Sequence, residues 1–313
     1  MDKSTQTHLA GDLALEIAGV HSDYLAYLAT LPSNVRPLVI EMPAPDESIS
    51  PGRLSVLALP FWVGEAFGVE IHICRQIALA NIFGLLHFIT QDRLMDLGHT
   101  GKDIPGYVLS GTLYLQQMFA NYQPFFPPQS PFWDLLNQYW LEWAYSTVWE
   151  QKPRSTYSFL EEDLLKAARK AAPLKICTSG LALLGNRANL IPQLEEAIDK
   201  MHMVFQMSDD LVDMADDLKS DRYNSVVNML ISRGTLIPQA NFEVNQIGRV
   251  LFTSGEDRIY FERMQEINKQ VGLLINRLGI PSWADLIEQA VSQTQLWRDE
   301  QLALIVPSLL DSS

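Results

Sequence analysis

FQMSDDLVDMADDLKSD, residues 205–221, is the stretch from which the rest of the chain is read. It holds six aspartates: Asp209, Asp210, Asp213, Asp216, Asp217 and Asp221. At about 100° per residue, Asp209, Asp213 and Asp217 stay within about 80° of one another on a helix and climb roughly 12 Å along one face. Like charges at this spacing repel by roughly a few tenths of a kcal/mol per pair, so the row asks for a positive neighbour. Magnesium suits it, because that ion takes one or two carboxylates and completes its shell with water and phosphate oxygens. The alternative is a solvated acidic face, which is what most charge runs are. Against it, Phe205, Met207, Leu211, Val212, Met214 and Leu218 make much of the remaining circumference apolar. Almost no cation relieves the row before Lys219 and Arg222. The metal reading is the stronger one.

A magnesium cluster that grips a diphosphate needs carboxylates from more than one side. The other candidate is HFITQDRLMDLGHTGK, residues 87–102, with Asp92 and Asp96 at i, i+4 near the end of a long helix. Negative charge there is opposed by the helix dipole and needs a reason. On spacing alone, a surface end softened by Arg93 is an equal reading. The aspartate-rich helix downstream, separated by enough chain to fold back antiparallel, decides for a second set of ligands.

The 313 residues carry 23 basic and 37 acidic side chains, a net charge of −14, which disfavours a broad nucleic-acid or anionic-membrane surface. One pocket can still accept a diphosphate where magnesium reverses the field locally. Cys74 and Cys177 lie in apolar helical context and read as buried free thiols. The beginning, MDKSTQTHLAGDLALEI, lacks an apolar core flanked by positive charge, so no signal peptide is expected. The longest apolar stretch, Ile77 to Ile89, contains Asn81 and His87 and falls short of a membrane span. A cytoplasmic protein with no integral membrane segment is the expectation.

Helical spacing of apolar residues runs from about 6 to 30, followed by a proline-rich loop over 31–52 and a short apolar segment from Leu54 to Phe67. Longer helices are expected at about 69–97, 106–119 and 132–150, and over 157–189 with an interruption near Pro173. The aspartate helix runs from after Pro192 to about 219, and shorter ones follow at 223–232, 241–252, 255–278 and 282–304. With no alternating strand pattern and no linker, the chain reads as all-α: one domain over 1–313, a bundle of about ten or more helices around a central cavity.

The aspartate stretch resembles the FQ-x-x-D-D-x-x-D motif of class I isoprenoid synthases of the trans-prenyltransferase and terpene cyclase kind, through Phe205, Gln206, Asp209, Asp210 and Asp213. LLHFITQDRLMD resembles their first aspartate-rich motif, reduced to Asp92 and Asp96. APLKICTSGLALLGN, residues 172–186, resembles the helix that carries their phosphate-binding lysine, here Lys175. DDLKSDRYN is similar to a squalene and phytoene synthase pattern, which makes Lys219, Arg222 and Tyr223 diphosphate contacts. The resemblance implies that Asp92, Asp96, Asp209 and Asp213 are catalytic and that these four, with Asp210 and Asp217, hold a cluster of up to three magnesium ions. It also implies a prenyl diphosphate substrate, no nucleic-acid partner, and allows the homodimer that the family often forms.

The chain departs from the elongating enzymes in carrying neither their N-terminal G-G-K-R nor the R-R-G after the first motif; Arg53, Arg75 and Lys102 are the only upstream cations to substitute. One diphosphate site without a second points to a terpene synthase, which ionises one prenyl diphosphate and cyclises or quenches the cation. The alternative is a prenyltransferase, either chain-elongating or joining two prenyl diphosphates head to head. A catalytically silent helical scaffold is a third reading. A carbocation needs π faces, worth about 0.5–2 kcal/mol each. Phe83, Phe88, Tyr139 and Trp143 are the cavity-lining candidates, although each ring taken singly is more often core. His87 and His99 are weaker candidates for a base, and Arg258 with Tyr260 for a pocket cap.

Overall fold

The computed structural model describes residues 11–39, 41–42, 51–97, 104–150, 159–219, 223–238 and 244–310. These form helices and turns with no strand among the described residues, as the sequence pattern requires. The α-helices are α1 (Gly11–Ala29), α2 (Pro51–Ala66), α3 (Ile71–Leu97), α4 (Ile104–Tyr122), α5 (Phe132–Glu150), α6 (Glu161–Ala168) and α7 (Leu174–Leu184). They continue with α8 (Ile191–Val212), α9 (Met214–Lys219), α10 (Ser225–Ser232), α11 (Val244–Thr253), α12 (Glu256–Leu278) and α13 (Pro281–Leu310). Two compact units are present: Met1–Trp140, Pro173–Glu195 and Leu278–Trp283 form the first, and Leu141–Ala172, Glu196–Arg277 and Ala284–Ser313 the second.

In the first unit, α3 is packed by α1, α2, α4 and α7. That explains why its apolar residues run nearly all round the helix rather than along one stripe. Ile71–Met95 is long and apolar enough to cross a membrane by length and composition, beyond what the run from Ile77 to Ile89 suggests, and 67% of its most apolar window is buried. The two polar interruptions of that run are both satisfied by backbone. Pro60 sits inside α2 and has no N–H, so the Val56 carbonyl four residues earlier lacks its helical donor. Asn81 Nδ2 of α3 donates to that carbonyl at 2.7 Å. His87 Nδ1 meets the Gly111 carbonyl of α4 at 2.9 Å. A Cβ at Gly111 would stand 2.7 Å from Thr90 Oγ1, so only glycine lets the α4 backbone come this close. Helix α7 ends with Asn186 at φ 55°, where Arg187 N–H reaches the Ala182 carbonyl at 2.7 Å and Asn186 N–H the Leu183 carbonyl at 3.1 Å. This is the left-handed closure that frees the chain to turn.

In the second unit, Tyr260, Met264, Ile267 and Val271 give α12 a buried face at i, i+4, i+7, i+11, with Met201, Val204, Met207 and Leu211 buried on α8. Fully burying side chains of this size contributes about 1.5–3 kcal/mol each. Two carboxylates open α12. Asp257 accepts from Arg298 Nε at 2.7 Å and Nη2 at 2.6 Å, while Glu256 accepts from Arg233 Nε at 2.6 Å and Thr235 Oγ1 at 2.9 Å. Negative charge at a helix start is favoured by the dipole as well.

The aspartate stretch differs from the single helix expected. Helix α8 ends at Val212, Asp213 sits at a bend, and α9 begins at Met214. The helical bonds continue across the bend, from Asp213 N–H to the Asp209 carbonyl at 2.7 Å and from Asp217 N–H to the Asp213 carbonyl at 3.1 Å. The bend has a cause: Asn224 Nδ2 occupies the Asp210 carbonyl at 2.7 Å, a side chain inserted into the helical ladder.

Candidate functional site

The second unit carries most of the candidate residues, and burial sorts its aspartates into two kinds. Asp209 and Asp213 are exposed and Asp217 is half-buried. Crowding by packed atoms, and then the charges of Asp213 and Asp217, push the Asp209 carboxyl up from 3.8 to about 6, although the residue keeps solvent access. The repulsion anticipated from the i, i+4, i+8 spacing is therefore felt at Asp209.

Asp210 is different. Only 1% of it is exposed, and its carboxylate accepts from Gln206 Nε2 at 2.7 Å, from Ser225 N–H at 2.7 Å and from the Ser225 hydroxyl. The Tyr260 hydroxyl lies 2.6 Å from Ser225 Oγ and 2.8 Å from the Met207 carbonyl. Burial pushes the Asp210 carboxyl up to about 7 against the opposing pull of these hydrogen bonds. Adjacent in sequence, Asp209 faces water and Asp210 ties α8 to α10 and α12. Tyr260, read as a pocket cap, is fully buried in that network, and its neighbour Arg258 is exposed, 4.0 Å from Glu262.

Tyr223 is buried with its ring 5.2 Å from that of Trp149. Lys219 is placed by backbone alone, as the last residue of α9. Arg222, like His99 and Lys102, lies outside the described residues. Trp143 is half-buried on α5.

In the first unit, Asp92 is half-buried near the end of α3, with Oδ1 shielded from solvent. Asp96 follows four residues later on the same helix and is placed by backbone alone. One turn before Asp92, His87 is buried, and burial lowers its pKa below 6.5. Its partner is a carbonyl, so Nδ1 carries a proton, and burial favours the neutral ring. Phe88 packs edge-on against His87 and Trp140, at 5.2 and 5.7 Å. Phe83 is fully buried among Tyr24, Tyr27 and Tyr114. Tyr139 is fully buried too, its hydroxyl 2.8 Å from Ser179 Oγ and donating to Glu195 Oε1 at 2.5 Å. Lys175, in the first turn of α7, is 1% exposed, with Nζ 5.9 Å from the Tyr139 ring centroid.

Among the described residues, no three acidic, histidine or cysteine side chains form a ready-made cage. Magnesium does not need one, since it keeps several waters and binds through one or two carboxylates and phosphate oxygens. The donor set of Asp209, Asp213 and Asp217 fits that ion: hard oxygens in a row, two of the residues exposed, with mutual repulsion that a cation would relieve. Sequence reasoning missed Asn224 and Ser225 as partners of this row. The available signal was a capping pair, Asn-Ser, directly before the apolar run VVNMLI.

No family model and no curated protein matches the chain. Solved structures do. The geranylgeranyl pyrophosphate synthetase from the archaeon Geoglobus acetivorans aligns over 89% of this chain and 96% of that one, with a TM-score of 0.69 and 17% identity. A polyprenyl synthase from Caulobacter crescentus CB15, complexed with calcium and isoprenyl diphosphate, covers 94% and 98% at a TM-score of 0.68 and 12% identity. Octaprenyl pyrophosphate synthase from Helicobacter pylori covers 91% and 100% at 0.64 and 14%. At such identities the likeness concerns the backbone. The chain has the class I isoprenoid synthase fold.

Proposed function

We propose that this chain is a magnesium-dependent enzyme acting on prenyl diphosphates in the cytoplasm, a prenyltransferase in reaction type, with residues 1–313 forming one catalytic domain. The observation that carries the reading is the row Asp209, Asp213 and Asp217, on a fold whose matched structures are prenyl diphosphate synthases. One of those structures is complexed with a divalent cation and isoprenyl diphosphate. In this reading Asp209, Asp213 and Asp217, together with Asp92 and Asp96, are the metal ligands. Asp210, buried and hydrogen-bonded, fixes the backbone that carries them. Bound magnesium supplies Lewis-acid charge neutralisation to a departing diphosphate. Lys175, Lys219, Arg222 and Tyr223 are the candidates to hold diphosphate oxygens. Phe83, Phe88, Tyr139 and Trp143 are the candidates to offer ring faces to positive charge on carbon.

The sequence alone put a terpene synthase first, and the matched structures favour the prenyltransferase alternative. One observation keeps the terpene synthase as a second reading: the chain lacks the G-G-K-R and R-R-G segments of elongating enzymes. Incubation with geranyl, farnesyl and geranylgeranyl diphosphates, with and without isopentenyl diphosphate and with magnesium present, separates the two. A longer diphosphate formed only when isopentenyl diphosphate is supplied supports chain elongation. Consumption of two allylic molecules per product indicates head-to-head coupling, and a hydrocarbon or alcohol from one substrate indicates the terpene synthase. No turnover with any of them, and no magnesium-dependent thermal shift with a diphosphate analogue, refutes the enzyme reading and leaves a silent scaffold.

A further inference from the structure

We propose that Asn224 is a positioning residue that holds Asp217 as a metal ligand across the break between α8 and α9; this rests on the magnesium-dependent reading above. The amide accounts for its full hydrogen-bonding capacity. Its Oδ1 accepts from Val226 N–H at 3.1 Å and Val227 N–H at 3.3 Å, capping α10. Its Nδ2 donates to the Asp210 carbonyl at 2.7 Å and to Asp217 Oδ2 at 3.0 Å. The two N–H groups require an acceptor, and the carbonyl and carboxylate require a donor, so the partners fix which end is oxygen. Asn224 is itself 1% exposed and cannot turn away to solvent.

The geometry points to more than a cap, for which an oxygen alone suffices, as in serine or aspartate. The two amide protons are spent on α8 and α9 together, one on the last turn of α8 and one on the Asp217 carboxylate of α9. The bend at Asp213 lies between Asp209 and Asp217. Anchoring one Asp217 carboxylate oxygen and the α8 backbone to the same amide couples the two sides of that bend. The anchor is itself held, because the next residue, Ser225, is bound through N–H and hydroxyl to Asp210. Asparagine is the side chain this place demands: aspartate would cap equally well but repel Asp217.

Asn224→Ser and Asn224→Asp both keep a capping oxygen and lose the amide donors. The readout is the melting temperature of the full chain against magnesium concentration, with inorganic diphosphate held constant and in excess. In the variants the midpoint of the magnesium titration should rise by about 10–100-fold, the loss typical of an outer partner of a metal ligand. With Asp217→Asn already in place, Asn224→Ser should add no further shift, because the group it positions has been changed. An unchanged midpoint in a folded variant overturns the proposal, as does a shift that simply adds to that of Asp217→Asn. Failure of both variants to fold overturns it too, making Asn224 structural only. Absence of any magnesium response in the unmodified chain defeats the functional reading first and this proposal with it, an outcome distinct from an unchanged midpoint.

Discussion

The end of α3 and the run from α8 into α9 both carry aspartates at helical spacing, and they are built on opposite principles. Helix α3 is enclosed by apolar neighbours, and the polar side chains within its buried run, Asn81 and His87, are neutral and spent on backbone carbonyls. Its carboxylates come only near the end of the helix. The α8–α9 run instead keeps Asp209, Asp210, Asp213 and Asp217 within nine residues, tolerates a bend, and is held by hydrogen bonds from Gln206, Asn224 and Ser225. An apolar sheath makes the first a stiff post. The second holds a concentration of charge that costs stability until a cation arrives, and this asymmetry can be tested.

The largest effect belongs to the charged row. Asp209→Ala and Asp213→Ala should lower kcat/KM for prenyl diphosphate turnover on the order of 10²–10³-fold, the scale for removing one preorganised electrostatic contact. The metal-free variants should melt no lower than the unmodified chain, because each deletion relieves like-charge repulsion. Asp92→Ala sharpens the comparison. A loss of the same order makes the reduced first motif a working partner, whereas full activity would confine the chemistry to the second unit.

Next come the buried polar anchors, one in each region. Asn81→Leu leaves the Val56 carbonyl without a donor beside Pro60, and Tyr260→Phe removes the hydroxyl between Ser225 and Met207. Each should cost about 1–3 kcal/mol of unfolding free energy, read from urea denaturation. Tyr260→Phe should also disturb the magnesium response, through Ser225 and Asp210, and Asn81→Leu should not. Equal effects on that response would erase the difference between the two regions.

Much of this arrangement was legible beforehand. Helix α5 occupies the 132–150 span that its spacing predicts, and the interruption at Pro173 separates α6 from α7. What escaped depends on partners remote in sequence. Leu54 to Phe67 reads only as a short apolar segment, yet it lies largely within α2, with Pro60 inside the helix, and nothing local says that Asn81 will satisfy Val56. The bend at Asp213 is imposed by Asn224, eleven residues on. Asp209 and Asp210 are the same residue type side by side, and only tertiary burial makes one a solvent-facing ligand candidate and the other an internal anchor.

Proton linkage gives the two regions opposite signs. His87 has a lowered pKa in the folded protein, so the stability it contributes is present above about 6.5 and is lost as pH falls from there through the lowered value. Asp210 is raised from 3.8 to about 7, so its contribution is most favourable below 3.8 and is lost as pH rises towards 7. In urea titrations of the metal-free protein, His87→Gln should gain on the unmodified chain as pH drops below about 6.5. Asp210→Asn should gain on it as pH climbs from about 4 to 7. Two variants gaining in the same direction would mean that one of the two buried groups is solvated differently from what the contacts require.

The smallest effect is expected at Arg75, one of the upstream cations that the sequence offers in place of a second diphosphate-binding motif. Its guanidinium is already engaged in a two-pronged pair with Glu16, with Nη2 at 2.7 Å from Oε1 and Nε on Oε2. Both side chains reach solvent, where water and salt screen the attraction and immobilising a long side chain offsets most of what remains. Arg75→Ala should therefore leave the melting temperature within experimental scatter and the KM for isopentenyl diphosphate unchanged. A clear rise in that KM would mean that the arginine leaves Glu16 for the substrate. An exposed arginine of the first unit would then hold the second diphosphate, and the contrast between post and charged row would have to be redrawn.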